Sequence, residues 1–99
     1  MSLFDWDDAN RDHIARHNVS PDEAEQAWFN DPVDFSVQYD EYDGPRYEHI
    51  GEHDSGRILV FIATWRDDLV RICAAWDAPK AFKEIYFKHK AKRSWNKSD

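Results

Sequence analysis

Two histidine pairs, one cysteine and a run of cations are the first places to look for chemistry in this 99-residue chain. His13 and His17 stand four apart in a stretch of helical character, and His49 and His53 four apart in a stretch of strand character. Each pair can face one way and reach a metal ion. Such spacings arise readily by chance, and no cysteine completes either pair, so no metal centre is expected. Cys73 precedes two alanines in an apolar run, where a thiol acts as a small buried hydrophobe rather than a nucleophile. As the only cysteine it forms no internal disulfide and no cysteine-rich zinc site. With three glycines in the chain there is no nucleophile elbow, phosphate-cradling loop or dinucleotide fingerprint, and no cofactor is expected. The cations offer a different chemistry. Lys80, Lys83, Lys88, Lys90, Lys92 and Arg93 can neutralise phosphates while Trp76 and Trp95 stack on unpaired bases, as an RNA-binding surface would. The same residues also fit a solvated helix face, with Trp76 closing the core at a strand end and Trp95 on a frayed tail.

Charge is divided along the chain. Residues 1–79 hold six Arg against 18 Asp and Glu, a net of −12, whereas residues 80–97 hold six Lys and Arg93 against Glu84, a net of +6. An acidic body repels nucleic acid, but the basic end can still meet RNA, and either pole can meet a protein. Ninety-nine residues suit one domain, expected to span 1–99. The 41% hydrophobic content includes five Trp, four Tyr and six Phe, enough for a small core built on aromatics. The longest apolar stretch, Ile58 to Ala63, is six residues against the roughly 20 that a membrane helix needs. The first eight residues carry neither a basic flank nor an apolar signal core, so a cytoplasmic protein is expected.

The elements that must position these residues follow from caps and periodicity. Phe4 to His17 reads as a first helix, with Asp5 or Asp7 as cap and Asn18 in a left-handed conformation after its last turn. Ser20, Pro21 and Glu23 form a capping box with proline at the first helical position, opening a second helix whose Ala24, Ala27 and Trp28 face inward. Asn30-Asp31-Pro32 ends it. From Val33 the period becomes two, and four strands are expected: Val33 to Asp40, Arg46 to His53, Arg57 to Trp65 and Leu69 to Trp76. Ile58 to Ile62 lacks polar alternation, as in a central strand covered on both faces. The short connections require antiparallel pairing. Asp77-Ala78-Pro79 then starts a third helix with Ala81, Phe82, Ile85 and Tyr86 on one face. The expected fold is α+β: a four-stranded antiparallel sheet packed with two N-terminal helices and one C-terminal helix.

The order of these elements, with Phe4-Asp5-Trp6-Asp7, Arg16-His17-Asn18-Val19-Ser20, Glu23-Ala24, Asp31-Pro32, Arg46, Ile50-Gly51, Gly56-Arg57-Ile58-Leu59-Val60, Arg71-Ile72 and Tyr86, resembles the BrnT family. These are toxins of bacterial type II toxin–antitoxin pairs, with a fold similar to that of the RelE group of ribosome-linked ribonucleases. The resemblance implies a metal-independent ribonuclease that inhibits translation, an antitoxin partner, RNA or the ribosome as target, and no membrane. It points to His17, Arg46, Arg71 and Tyr86 as catalytic candidates, beside which Lys80, Lys83, Lys88 and Trp76 are the RNA-binding candidates read from charge and aromatic character. Metal-independent cleavage needs a base for the ribose 2′-hydroxyl, charge on the phosphorane and a proton for the leaving oxygen. Arg71 suits the phosphate because its fork can hold two oxygens, though an acidic neighbour could equally claim it. Tyr86 lies among apolar residues and also fits the core, and His17 at a helix end also suits the helix dipole. Where the family typically reads Ser-Ala-Arg at the end of the last strand, this chain has Ala74-Ala75-Trp76. That loss of a hydroxyl and a cation supports an alternative, a non-catalytic relative acting as a protein- or RNA-binding module.

Overall fold

The computed structural model describes residues 3–40 and 44–97, with Tyr39, Asp40 and residues 93–97 described by backbone alone. The order is α1 (Asp8–Ala15), α2 (Pro21–Phe29), β1 (Val33–Asp40), β2 (Gly44–Glu52), β3 (Ile58–Arg66), β4 (Leu69–Asp77) and α3 (Lys80–Lys97). The strands form one antiparallel sheet in the order β1-β2-β3-β4. The fold is α+β, with α1 and α2 on one face of the sheet and α3 on the other.

Local chemistry sets the helix ends. The Ser20 hydroxyl accepts from the Glu23 amide at 3.2 Å, and the Glu23 carboxylate accepts from the Ser20 amide at 3.1 Å. Asn18 takes φ 58°, the left-handed conformation expected after α1. α1 itself is shorter than the sequence suggests and begins at Asp8, capped by Asp7 in a reciprocal box with Asn10. Residues 3–5 run extended beside β4 instead: the Val70 amide donates to the Leu3 carbonyl and the Asp5 amide to the Val70 carbonyl. This segment covers the outer edge of β4, which explains why a helix-compatible stretch is not helical.

Two clusters divide the core. Phe4, Ile14, Val19, Ala24 and Ala27 pack with Leu59, Phe61, Val70 and Ile72 on the α1/α2 side. Val33, Ile50, Ile58, Val60 and Ala78 pack with Tyr86, backed by Trp76, Phe82 and Ile85, on the α3 side. β3 thus contributes to both, as its unbroken apolar run predicts. Ala81, expected on the packed face of α3, is exposed. Gly51 lets α2 lie close to β2, since a Cβ there would stand 2.8 Å from the Ala27 carbonyl oxygen and 3.0 Å from the Phe61 ring. Cys73 occupies a bulge: Ile62 pairs with Ala74 and Ala63 with Ile72, so Cys73 falls between two ladder positions. Its side chain is half-buried rather than enclosed, and its thiol reaches the Arg71 carbonyl at 3.7 Å.

Candidate functional site: an open half of the sheet

α3 covers only part of its face of the sheet. Beneath its Phe82, Ile85 and Tyr86 lie Val33, Ile50, Val60 and Trp76. The next row across the strands is Ser36, Glu48, Ile62 and Ala74, set by the pairs Ser36–Glu48, Glu48–Ile62 and Ile62–Ala74. Beyond it stand Gln38, Arg46, Thr64 and Arg71: Gln38 pairs with Arg46, Thr64 with Arg71, and the Tyr47–Ala63 pair sets Arg46 beside Thr64. Strand alternation puts both rows on the α3 side. Glu48, Ile62, Ala74, Arg46, Thr64 and Arg71 are all half-buried, neither in the core nor fully in solvent.

This half-open surface joins two of the four catalytic candidates. Arg46 on β2 and Arg71 on β4 flank Thr64, about 10 Å apart at the backbone for strands spaced 4.8 Å. Thr64 donates its hydroxyl to the Pro45 carbonyl at 2.9 Å. Glu48, two residues from Arg46, adds a carboxylate that the Ser36 hydroxyl holds at 2.9 Å. Glu48 is a carboxylate on this face that the sequence motifs do not single out. Its signal was its spacing of two from Arg46 on an alternating strand, which places both side chains on one face.

Arg71 is also engaged elsewhere. Its Nη1 and Nη2 donate to the two Asp7 oxygens at 3.0 and 3.1 Å, and Nη1 lies 3.5 Å from Asp5. The hydrogen bonds to Asp7 raise the Arg71 pKa, and those from Arg71 lower that of Asp7. The pair ties the α1 cap to β4 across the sheet edge.

The other candidates lie apart. Tyr86 is buried, with its hydroxyl 3.3 Å from Glu52 and the Lys90 ammonium 5.4 Å from its ring centre. Glu52 lies six residues along β2 from Arg46, about 20 Å at 3.3 Å per residue. His17 is exposed at the end of α1, its ring 6.4 Å from that of Trp76. Trp76 lies five residues along β4 from Arg71, about 16 Å. His17, Trp76, Lys80 and Lys83 thus gather where β4 passes into α3, whereas Lys88 is exposed further along that helix. Trp76 is half-buried against the α3-side core. The side chains of Arg93 and Trp95 lie outside the described residues.

Arg57, at the start of the Gly56-to-Val60 stretch that leads into β3, clamps the junctions that carry this cluster. Its Nε donates to Asp77 at 2.7 Å, Nη1 to Glu23 and to the Asn18 carbonyl at 2.8 Å each, and Nη2 to the His17 carbonyl at 3.3 Å. The two histidine pairs have other engagements. The His13 and His17 rings are 6.4 Å apart, His49 binds Asp34 at 2.9 Å, and His53 binds Ser55 at 2.6 Å. Among the described residues no three His, Cys, Asp or Glu side chains gather as a metal site would require.

A small α+β protein with paired arginines and a carboxylate on a half-open sheet face, and a lysine-rich helix beside it, is the class these features define. Residues 6–84 match the family model described as "Ribonuclease toxin, BrnT, of type II toxin-antitoxin system", and the chain belongs to this family. Its family role is that of the ribonuclease toxin of a pair whose other member is an antitoxin. No curated protein and no solved structure matches the chain. No helix among the described residues is long and apolar enough to cross a membrane.

Proposed function

We propose that the chain cuts RNA without a metal ion on the half-open sheet face, and thereby inhibits translation in the cytoplasm. The observation that carries this reading is the placement of Arg46, Glu48 and Arg71 on adjoining rows beyond the edge of α3. Glu48 takes the proton from a ribose 2′-hydroxyl, whose oxygen attacks the adjacent phosphorus. The bond from phosphorus to the 5′ oxygen breaks, leaving a 2′,3′-cyclic phosphate on one product. The departing 5′ oxygen takes its proton from water, because His17 and Tyr86 sit at the far ends of their neighbouring strands. Arg46 and Arg71 neutralise the charge that builds on the phosphorane, provided that Arg71 exchanges Asp7 for phosphate. Lys80, Lys83 and Lys88, with Trp76, extend the binding track along α3.

Cleavage of a mixed single-stranded RNA in excess chelator tests this, with Arg71→Ala and Glu48→Gln alongside. A loss of about 10²-fold or more in each variant is expected, as for removal of an acid–base group or charge stabiliser. Unchanged cleavage in either variant, or cleavage that chelator abolishes, overturns it. The engagement of Arg71 by Asp7 and Asp5, with Ala74 and Trp76 where the family reads Ser and Arg, favours one competing reading. In that reading the fold binds RNA or protein without cutting, and RNA left intact with ribosomes present would establish it.

A further inference from the structure

On the α1/α2 side of the sheet, away from the proposed cleavage face, aromatic rings reach the surface together. Phe29, the last residue of α2, is 64% exposed and Trp65, near the end of β3, is 55% exposed. They flank a half-buried Trp28. Trp65 meets Trp28 edge-on at 6.1 Å, and buried Phe4 meets Phe29 at 5.7 Å and Trp28 at 6.4 Å. Phe61 backs Trp28 from the core at 6.4 Å. Exposing two large rings costs solvation energy, yet buried Phe4 holds Phe29 and half-buried Trp28 holds Trp65 in place, as at surfaces that bind a partner. A cleft of about 470 Å³ opens beside them, lined by Trp28, Phe29 and Pro32 with Asp31, Asp34 and His49.

The border of this patch is acidic. Asp31 and Asp34 line the cleft, Asp67 and Asp68 follow Trp65 in the β3–β4 turn, and Asp5 follows Phe4. Three cations reach these acids: Arg66 and Arg71 stand 3.8 and 3.5 Å from Asp5, and Lys90 binds Asp31 at 3.3 Å. Five carboxylates against three cations still leave a negative border around an apolar centre, carried by Asp34, Asp67 and Asp68, which selects a positive, amphipathic partner.

We propose that this patch docks a basic amphipathic segment of the antitoxin, its apolar side chains against Trp28, Phe29 and Trp65 and its Lys or Arg side chains over the acidic border. The proposal rests on the family reading for the partner's identity. It makes the patch an anchor on the opposite face from Arg46, Glu48 and Arg71, so the docked segment itself leaves that face uncovered.

The full chain is titrated by calorimetry with a 16-residue peptide of Leu at helical spacing i, i+3, i+4, i+7 and Lys elsewhere, and with its counterpart carrying Glu for every Lys. The proteins are the wild type, the double variant Phe29→Ser/Trp65→Ser and Phe87→Ser, which removes a different exposed ring on α3. Circular dichroism checks that each is folded. Binding of the basic peptide that weakens at least tenfold in the double variant, persists in Phe87→Ser and falls as salt rises is the expected result. Equal binding by the double variant, equal binding of the acidic peptide, or no binding of either overturns the proposal. A wild-type dimer that the double variant dissociates also overturns it, by giving the patch to a second copy. RNA cleavage by the double variant should match wild type, so a failure of the ribonuclease reading leaves this result standing on its own.

Discussion

Replacing Arg57 with alanine should cost more stability than the loss of an ordinary surface ion pair. Arg57 touches four groups from three places: the carbonyls of His17 and Asn18 at the end of α1, Glu23 in the first turn of α2, and Asp77 at the end of β4. Its side chain is 23% exposed, so these contacts are only partly screened by water. A hydrogen bond with one charged partner contributes about 1.5–3 kcal/mol, and contacts sharing a guanidinium are not additive. With Asp77 two-thirds exposed and the His17 and Asn18 carbonyls open to water, we expect Arg57→Ala to cost about 2–3 kcal/mol, most of it from the part-buried contact with Glu23. For a domain of this size that lowers Tm by about 10–20 °C. Arg57→Lys keeps the charge but not the fork and should lose roughly half as much. Tryptophan fluorescence in urea and on heating reads both. The hydrogen bond from Arg57 also lowers the Asp77 pKa from 3.8, so that contribution is present above pH 3.8 and vanishes as pH falls through the depressed value. The difference between wild type and Arg57→Ala should therefore narrow in acid. A loss below about 0.5 kcal/mol at pH 7 would refute the reasoning, by placing Arg57 among ordinary surface ion pairs.

Three further outcomes are expected. Gly51→Ala forces its new methyl against the Ala27 carbonyl, 2.8 Å away in backbone that cannot swing aside, and should destabilise by about 1–3 kcal/mol in urea unfolding. A neutral effect would show that α2 can shift outward freely. Burial lowers the His49 pKa from 6.5, against an opposing pull from Asp34, so its neutral form supports the fold above pH 6.5 and that support is lost as pH falls below it. Urea midpoints should drop between pH 7.5 and 5.5 more steeply in wild type than in His49→Gln, and equal slopes would count against this. Asp7→Asn keeps a good α1 cap but withdraws the carboxylate from Arg71, so RNA cleavage should rise several-fold with the helix intact by circular dichroism. A fall in cleavage would mean instead that Asp7 positions Arg71 for phosphate.

Most of the fold was legible because its signals are local. The Ser20–Glu23 box, Asn18 and the change of period at Val33 each depend on residues within a few positions of one another, and each appears where the residues require it. What was not legible depends on distant partners. Phe4 to Trp6 is compatible with a helix in isolation, and only the edge of β4, more than sixty residues away, holds residues 3–5 extended. The half-exposure of Cys73 arises from a register shift between two strands, which no window of one strand reveals. Ala81 is apolar and correctly spaced, yet an alanine at the start of α3 does not reach a core that Phe82 and Tyr86 already fill.

The site was less legible because residues that resemblance groups in sequence need not meet in space. His17, Arg46, Arg71 and Tyr86 are spread over one helix end, two strands and another helix, and only register decides which of them share a surface. Register joins Arg46 to Arg71 through Thr64, and it brings in Glu48, which no motif singled out. It also parts Tyr86 and His17 from that pair by most of a strand's length. The acids that claim Arg71 belong to the segment that covers the edge of β4, so the same contact closes the sheet edge and occupies the guanidinium. A phosphate can take Arg71 only by competing with Asp7, whose carboxylate is also the α1 cap. The edge contact that completes the fold therefore opposes the proposed chemistry at one identifiable residue, and removing the Asp7 charge while keeping its cap separates the two roles.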